Sequence, residues 1–172
     1  MRALSSIAVL ILLALALPSY AAEAPPPVTM TRAEANTAFN TLSSPTYPQK
    51  NGFNQYETTI KQGGQDVIIT RFLDVTPEMR STLVRDYRVL HDTAMDTAKL
   101  HEDAKKRIDA DEKYKTTTER AVALEAEDMV ILQQKVDIVG LTTFTDSDLQ
   151  PGKNPQVTIP MSASLAPLMK KD

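Results

Sequence analysis

From residue 78 to residue 139 the chain contains neither glycine nor proline, and both ends of that stretch are marked. Thr76-Pro77-Glu78 opens it with an N-cap hydroxyl, a proline suited to the first helical position and an acid for the first turn. Gly140 follows it, where a left-handed C-cap residue belongs. A long helical segment at 76–140 therefore dominates the chain.

The side chains of that segment carry a repeat. Tyr87, Ala94, His101, Ile108, Lys115, Val122, Met129 and Val136 recur at heptad spacing, and Leu83, Leu90, Thr97, Ala104, Asp111, Thr118, Glu125, Leu132 and Val139 form the partner series. These are a and d positions of an amphipathic helix that hides one stripe. The stripe is apolar at its ends and polar in the middle. His101 on it reads as a packed or hydrogen-bonded interface residue, a candidate pH sensor in an oligomer. Between 99 and 120 there are seven basic and six acidic residues. Glu102–Lys106, Asp103–Arg107, Asp109–Lys113 and Asp111–Lys115 place acid before base at the spacing that supports a solvated helix. Thr116, Thr117 and Thr118 interrupt this with β-branched residues, and Thr116 with Glu119 forms a capping box. Two readings follow: one helix of about 63 residues and about 95 Å, or a helical hairpin, 77–114 and 117–139, turning at 114–118. The unbroken register favours the continuous or merely kinked rod. Compactness favours the hairpin.

Upstream, Thr31 and Glu34 make a capping box for a short helix at 32–43, which Ser43-Ser44-Pro45 ends. Residues 46–52 read as a loop. A β-hairpin at 56–73 follows, its strands rich in Ile, Val and Thr and its turn supplied by Gly63-Gly64. Two strands alone are marginal in water. The hairpin must pack on a helix, find a third strand, or pair with another chain. Residues 156–160 (Gln-Val-Thr-Ile-Pro) are the candidate third strand, at an edge because of Pro155 and Pro160. The remainder of 141–172 reads as loop, loose from 162 onward. The expected fold class is α+β, mainly α: a short N-terminal helix and a hairpin head at 31–75, then the long helical segment at 76–140, then an irregular tail.

The first residues read as an address. Arg2 precedes an unbroken apolar run at 7–17, and Ser19-Tyr20-Ala21 places small residues for cleavage. That is the order of a secretory signal peptide over 1–21, with a second cut after Ala24. A proline-rich linker at 22–30 leads into a single domain at 31–172. The run is short of the ~20 residues a spanning helix needs. Export without cysteine suits a bacterial periplasm or the extracellular space.

Composition narrows the chemistry. The absence of cysteine excludes disulfides, thiolate metal sites and a thiol nucleophile. His91 and His101 are the only histidines, and on one helix they stand about 15 Å apart along the axis. They cannot share an ion within one chain. His91 with Met95 is two ligands short of a copper or zinc site. Asp146 and Asp148 lack the downstream glycine and glutamate of an EF-hand loop. Gly63-Gly64 has no phosphate-loop context. A formal charge of −3 has the wrong sign for a nucleic-acid footprint. No catalytic, cofactor-binding or metal-ligating residue is assigned. The expectation is an exported non-enzymatic envelope or extracellular protein. It acts through Leu83, Tyr87, Leu90, Val122, Met129, Leu132, Val136 and Val139 on a protein partner or another copy of itself. The alternative is a periplasmic module that binds a small ligand or metal in a groove between hairpin and helix.

Overall fold

A computed structural model of the chain describes residues 26–43, 52–150 and 152–170. The segment read as a leader, 1–21, and residues 22–25 of the linker lie outside these residues.

The order of elements is strand β1 (Val28–Thr31), helix α1 (Arg32–Ser43), strands β2 (Gln55–Gln62) and β3 (Gln65–Phe72), helix α2 (Pro77–Ala110), helix α3 (Thr117–Gln133), strand β4 (Lys135–Ile138) and helix α4 (Ile159–Ser164). Short 3-10 turns at Asp146–Leu149 and Ala166–Leu168 complete it. The class is α+β, mainly helical, with the hairpin, the long helix and an irregular C-terminal region all present.

Helix α1 begins where its capping box places it. The Glu34 carboxylate accepts from the Thr31 N–H at 2.7 Å, and the Thr31 hydroxyl accepts from the Glu34 N–H at 3.1 Å. Helix α2 begins at Pro77 with the Thr76 hydroxyl accepting from the Met79 N–H. The helical segment then divides. Helix α2 stops at Ala110, α3 starts at Thr117, and α3 folds back along α2. The capping box at Thr116 and Glu119 is fully formed. The Glu119 carboxylate also takes the Lys115 N–H at 2.8 Å, and these backbone hydrogen bonds hold it below the usual carboxylate range. Local capping thus wins over the heptad register, and the rod becomes a helical hairpin turning over 111–116 rather than 114–118. Glu102 pairs with Lys106 as its spacing implies, but Asp109 pairs with Lys105 and Arg107 reaches Glu127 on α3.

Helix α3 ends at Gln133, well short of Gly140. Lys135-Val136-Asp137-Ile138 alternates polar and apolar side chains, and it pairs antiparallel with Val28-Thr29-Met30-Thr31. Met30 stands opposite Val136 and Val28 opposite Ile138, so all four apolar residues face the core. On the outer face the Thr29 hydroxyl donates to Asp137 at 2.6 Å. The end of the linker is therefore strand. Gly140 has φ +90° in the turn that leaves β4 and is not a helix cap.

The β2–β3 hairpin forms with Gln62 opposite Gln65 and both turn glycines at positive φ. Residues 156–160 do not join it. Each sheet has two strands, and Ile159 instead opens α4. The C-terminal region is irregular but not loose. Leu141, Phe144, Leu149, Leu165 and Leu168 are all fully buried, in one core with Met30, Ala35, Ala38, Leu42, Leu83 and Leu90. Asn154 pins this region to the junction between β3 and α2. Its side chain accepts from the Asp74 N–H and donates to the Asp74 carbonyl, both at 2.8 Å.

Candidate interaction surface and cleft

The fold-back at 111–116 decides which way the heptad residues point. On α2 the d series Leu83, Leu90, Thr97 and Ala104 is buried, with Ile108 of the a series. Tyr87 packs on the core and stacks on Phe39 of α1, ring centroids 5.3 Å apart. The α2 part of the stripe is consumed inside the chain by α1 and α3. Arg32 clasps the two helices together. Its backbone N–H donates to the Gln134 carbonyl at 3.0 Å, and its guanidinium donates to the buried Thr97 hydroxyl at 3.1 Å.

Helix α3 is less one-sided. Ile131 is its buried residue, Leu124 and Leu132 are half-buried, and Glu127 and Asp128 meet Arg107 and His101 of α2. The His101 imidazole lies 2.5 Å from the Asp128 carboxylate. The outward face carries Val122, Ala126, Met129 and Val130 at helical spacing, with Val122, Met129 and Val130 exposed by 63%, 56% and 59%. Helix α3 thus carries apolar side chains on both faces: Ala123, Leu124, Ile131 and Leu132 are buried or half-buried, and the outward face holds Glu125 among its exposed apolar residues. Of the remaining heptad residues, Leu132 is half-buried, Val136 packs on the core from β4, and Val139 is 66% exposed beyond that strand. The eight side chains do not form one seam. Val122 and Met129 remain together on one open face.

A second feature lies at the foot of the hairpin. Between the end of α1, the base of β3 and the first turns of α2 is a cleft of about 400 Å³ lined chiefly by Leu42, Phe72, Leu73, Val75, Leu83 and Val84. Tyr87, Ser43 and Asn54 complete the wall, and Arg80 stands in its lining with one guanidinium nitrogen donating to the Leu73 carbonyl at 3.2 Å. The heptad pattern could not reveal this cleft, because its walls come from three elements.

Groups raised by their chemistry from sequence have structural partners. Asp148 accepts from the Thr145 N–H and hydroxyl, which holds it below the usual carboxylate range. His91 is exposed beside Asp92, with its ring edge-on to Phe39. Met95 is exposed on the same helix. Asp86, a residue with no motif around it, is completely buried on α2. One of its oxygens accepts from the Thr142 N–H at 3.2 Å, and the other has no hydrogen-bond partner among the described residues. Burial pushes its carboxyl up to about 6, opposed by the Thr142 hydrogen bond and by Arg85. Among the described residues no helix is long and apolar enough to cross a membrane.

Comparison of the chain with protein-family models, with curated proteins and with solved structures finds no match in any of the three.

Proposed function

We propose that this is an exported, non-enzymatic interaction protein whose docking element is the outward face of α3, and that the surface it meets is a second copy of the chain. The exposed apolar residues of α3 carry the reading. Val122, Ala126, Met129 and Val130 lie on the outward face of the helix, alongside Glu125. Contiguous exposed apolar patches of this kind mark association surfaces. The flanking charges are already paired within the chain, Glu127 with Arg107 and Asp128 with His101, so association runs through the apolar residues themselves, which a second copy also presents. Export is supported by the apolar run and small residues of 1–21.

Light scattering coupled to size-exclusion chromatography tests this. The expected result is a dimer or higher oligomer that dissociates on dilution. Val122→Asp and Met129→Asp, both on exposed positions, should give monomers with unchanged circular dichroism. A wild-type monomer at all concentrations, or an oligomer that survives both changes, would remove α3 as the association surface.

A further inference from the structure

We infer that the cleft at the foot of the hairpin is a binding site for a single-chain anionic amphiphile, a molecule with an alkyl tail and a carboxylate or phosphate head. The cleft gives physical content to the ligand-module alternative and is independent of the α3 stripe, with which it shares no residue.

Two observations carry it. The first is the character and size of the walls. Leu42, Leu73, Val75, Leu83 and Val84 make a mainly apolar cavity of about 400 Å³, within the ~300–1,000 Å³ usual for small-molecule sites. A fully apolar ligand would leave Arg80 unanswered, which points to the second observation. Arg80 lines the cleft and also the adjoining hollow on α2, and Val84 lines both. That hollow further contains Arg85 and Arg88. In a chain of net charge −3, Arg80 thus stands on the rim shared by the cleft and the hollow, Arg88 lines the hollow, and Arg85 there is held by Asp86 and Thr142. Neither Arg80 nor Arg88 makes an ion pair with a described residue. Arg80 commits one donor to the Leu73 carbonyl and keeps the rest of its planar fork for an incoming anion. Its position in the first turns of α2 places it near the positive end of that helix dipole, so the helix end adds to its attraction for an anion. The alkyl tail lies along Leu73, Val75 and Leu83, and the head meets Arg80 with Arg88 beyond it.

Isothermal titration of the full chain with three probes below their micellar concentrations tests the assignment: dodecanoate, dodecanol and dodecyltrimethylammonium. Dodecanoate should bind one-to-one. Dodecanol should bind about tenfold more weakly, the order expected for loss of a charge-assisted pair, and the cation should not bind. Arg80→Gln should bring dodecanoate down to the affinity of dodecanol, and Val84→Glu, which sets a carboxylate on the wall from a half-exposed position, should abolish binding. A fourth arm presents vesicles of anionic phosphatidylglycerol. Equal affinity for the three headgroups, unchanged binding by both variants, absence of one-to-one binding, or binding to vesicles without binding to dodecanoate would each overturn the proposal. The last result would assign the arginines to a bilayer surface. Should Arg80→Gln fail to fold, the headgroup series and Val84→Glu still decide. Failure here leaves the oligomer test on α3 untouched.

Discussion

Asp86 shows how one residue can set a pH dependence. Its folded-state carboxyl titrates at about 6 against 3.8 unperturbed. Between those values the folded chain binds more protons than the unfolded one, so this group's contribution to stability rises as pH falls through 6 and is complete below 3.8. At neutral pH the ionised, half-satisfied carboxylate costs on the order of 2–3 kcal/mol. Asp86→Asn keeps an acceptor for the Thr142 N–H and removes the buried charge. It should therefore raise stability at about pH 7 by on the order of 1–3 kcal/mol and lose that advantage at about pH 4. Urea unfolding of both proteins at the two pH values reads the difference. An Asn variant equally destabilised at both would show that the carboxylate is not buried as described. Nothing in the sequence marks Asp86, which looks like any helix acid until segment 141–144 closes over it.

Among the elements, those governed by neighbours in the chain were legible. The caps at Thr31, Thr76 and Thr116 and the glycine turn at 63–64 all act within a few residues, so their chemistry stands in the sequence. The heptad register misled because it is a property of a straight helix. Helix α2 ends at Ala110 and the capping box at Thr116 starts α3 with a new phase, so the residues carried across the break change sides. Val122 and Met129 turn to water while Leu83 and Leu90 stay in the core. Thr116→Ala should cost about 1 kcal/mol by loss of the N-cap, with α3 amides showing the larger rise in hydrogen exchange. Equal rises across α1 would place the cap's role outside α3. The hairpin should behave as a separate small unit, since both turn glycines need positive φ and its strands pair chiefly with each other. Gly64→Ala places a side chain at φ +83°, a strain of about 1–2 kcal/mol. It should broaden hairpin amide signals while leaving those of α2 in place. Global unfolding would show that the hairpin supports the body.

At the scale of the molecule, the core is assembled from segments far apart in the chain. β1 meets β4 across more than a hundred residues, and Leu165 and Leu168 close the same core from the C-terminal side. Leu168→Ala should consequently cost about 2–5 kcal/mol, as for a fully buried leucine, measured by chemical denaturation. A change within the range of surface substitutions would contradict the packing of that segment. The proposed export predicts that intact mass after expression of the chain from Met1 shows a new N-terminus at Ala22 or Pro25. Retention of Met1 in the soluble fraction would remove the signal-peptide reading.

Capping and turn chemistry were enough to establish where α1, α2 and α3 begin, the hairpin turn between α1 and α2 and, with composition, a mainly helical class, because each depends on residues a few positions apart. The fold-back of α3, the pairing of β1 with β4, the burial of the C-terminal leucines and of Asp86, and the cleft walled by three elements were decided only in three dimensions. Each is a contact between surfaces remote in sequence. The gain from burying them together, rather than any local preference, selects which face of an element turns inward.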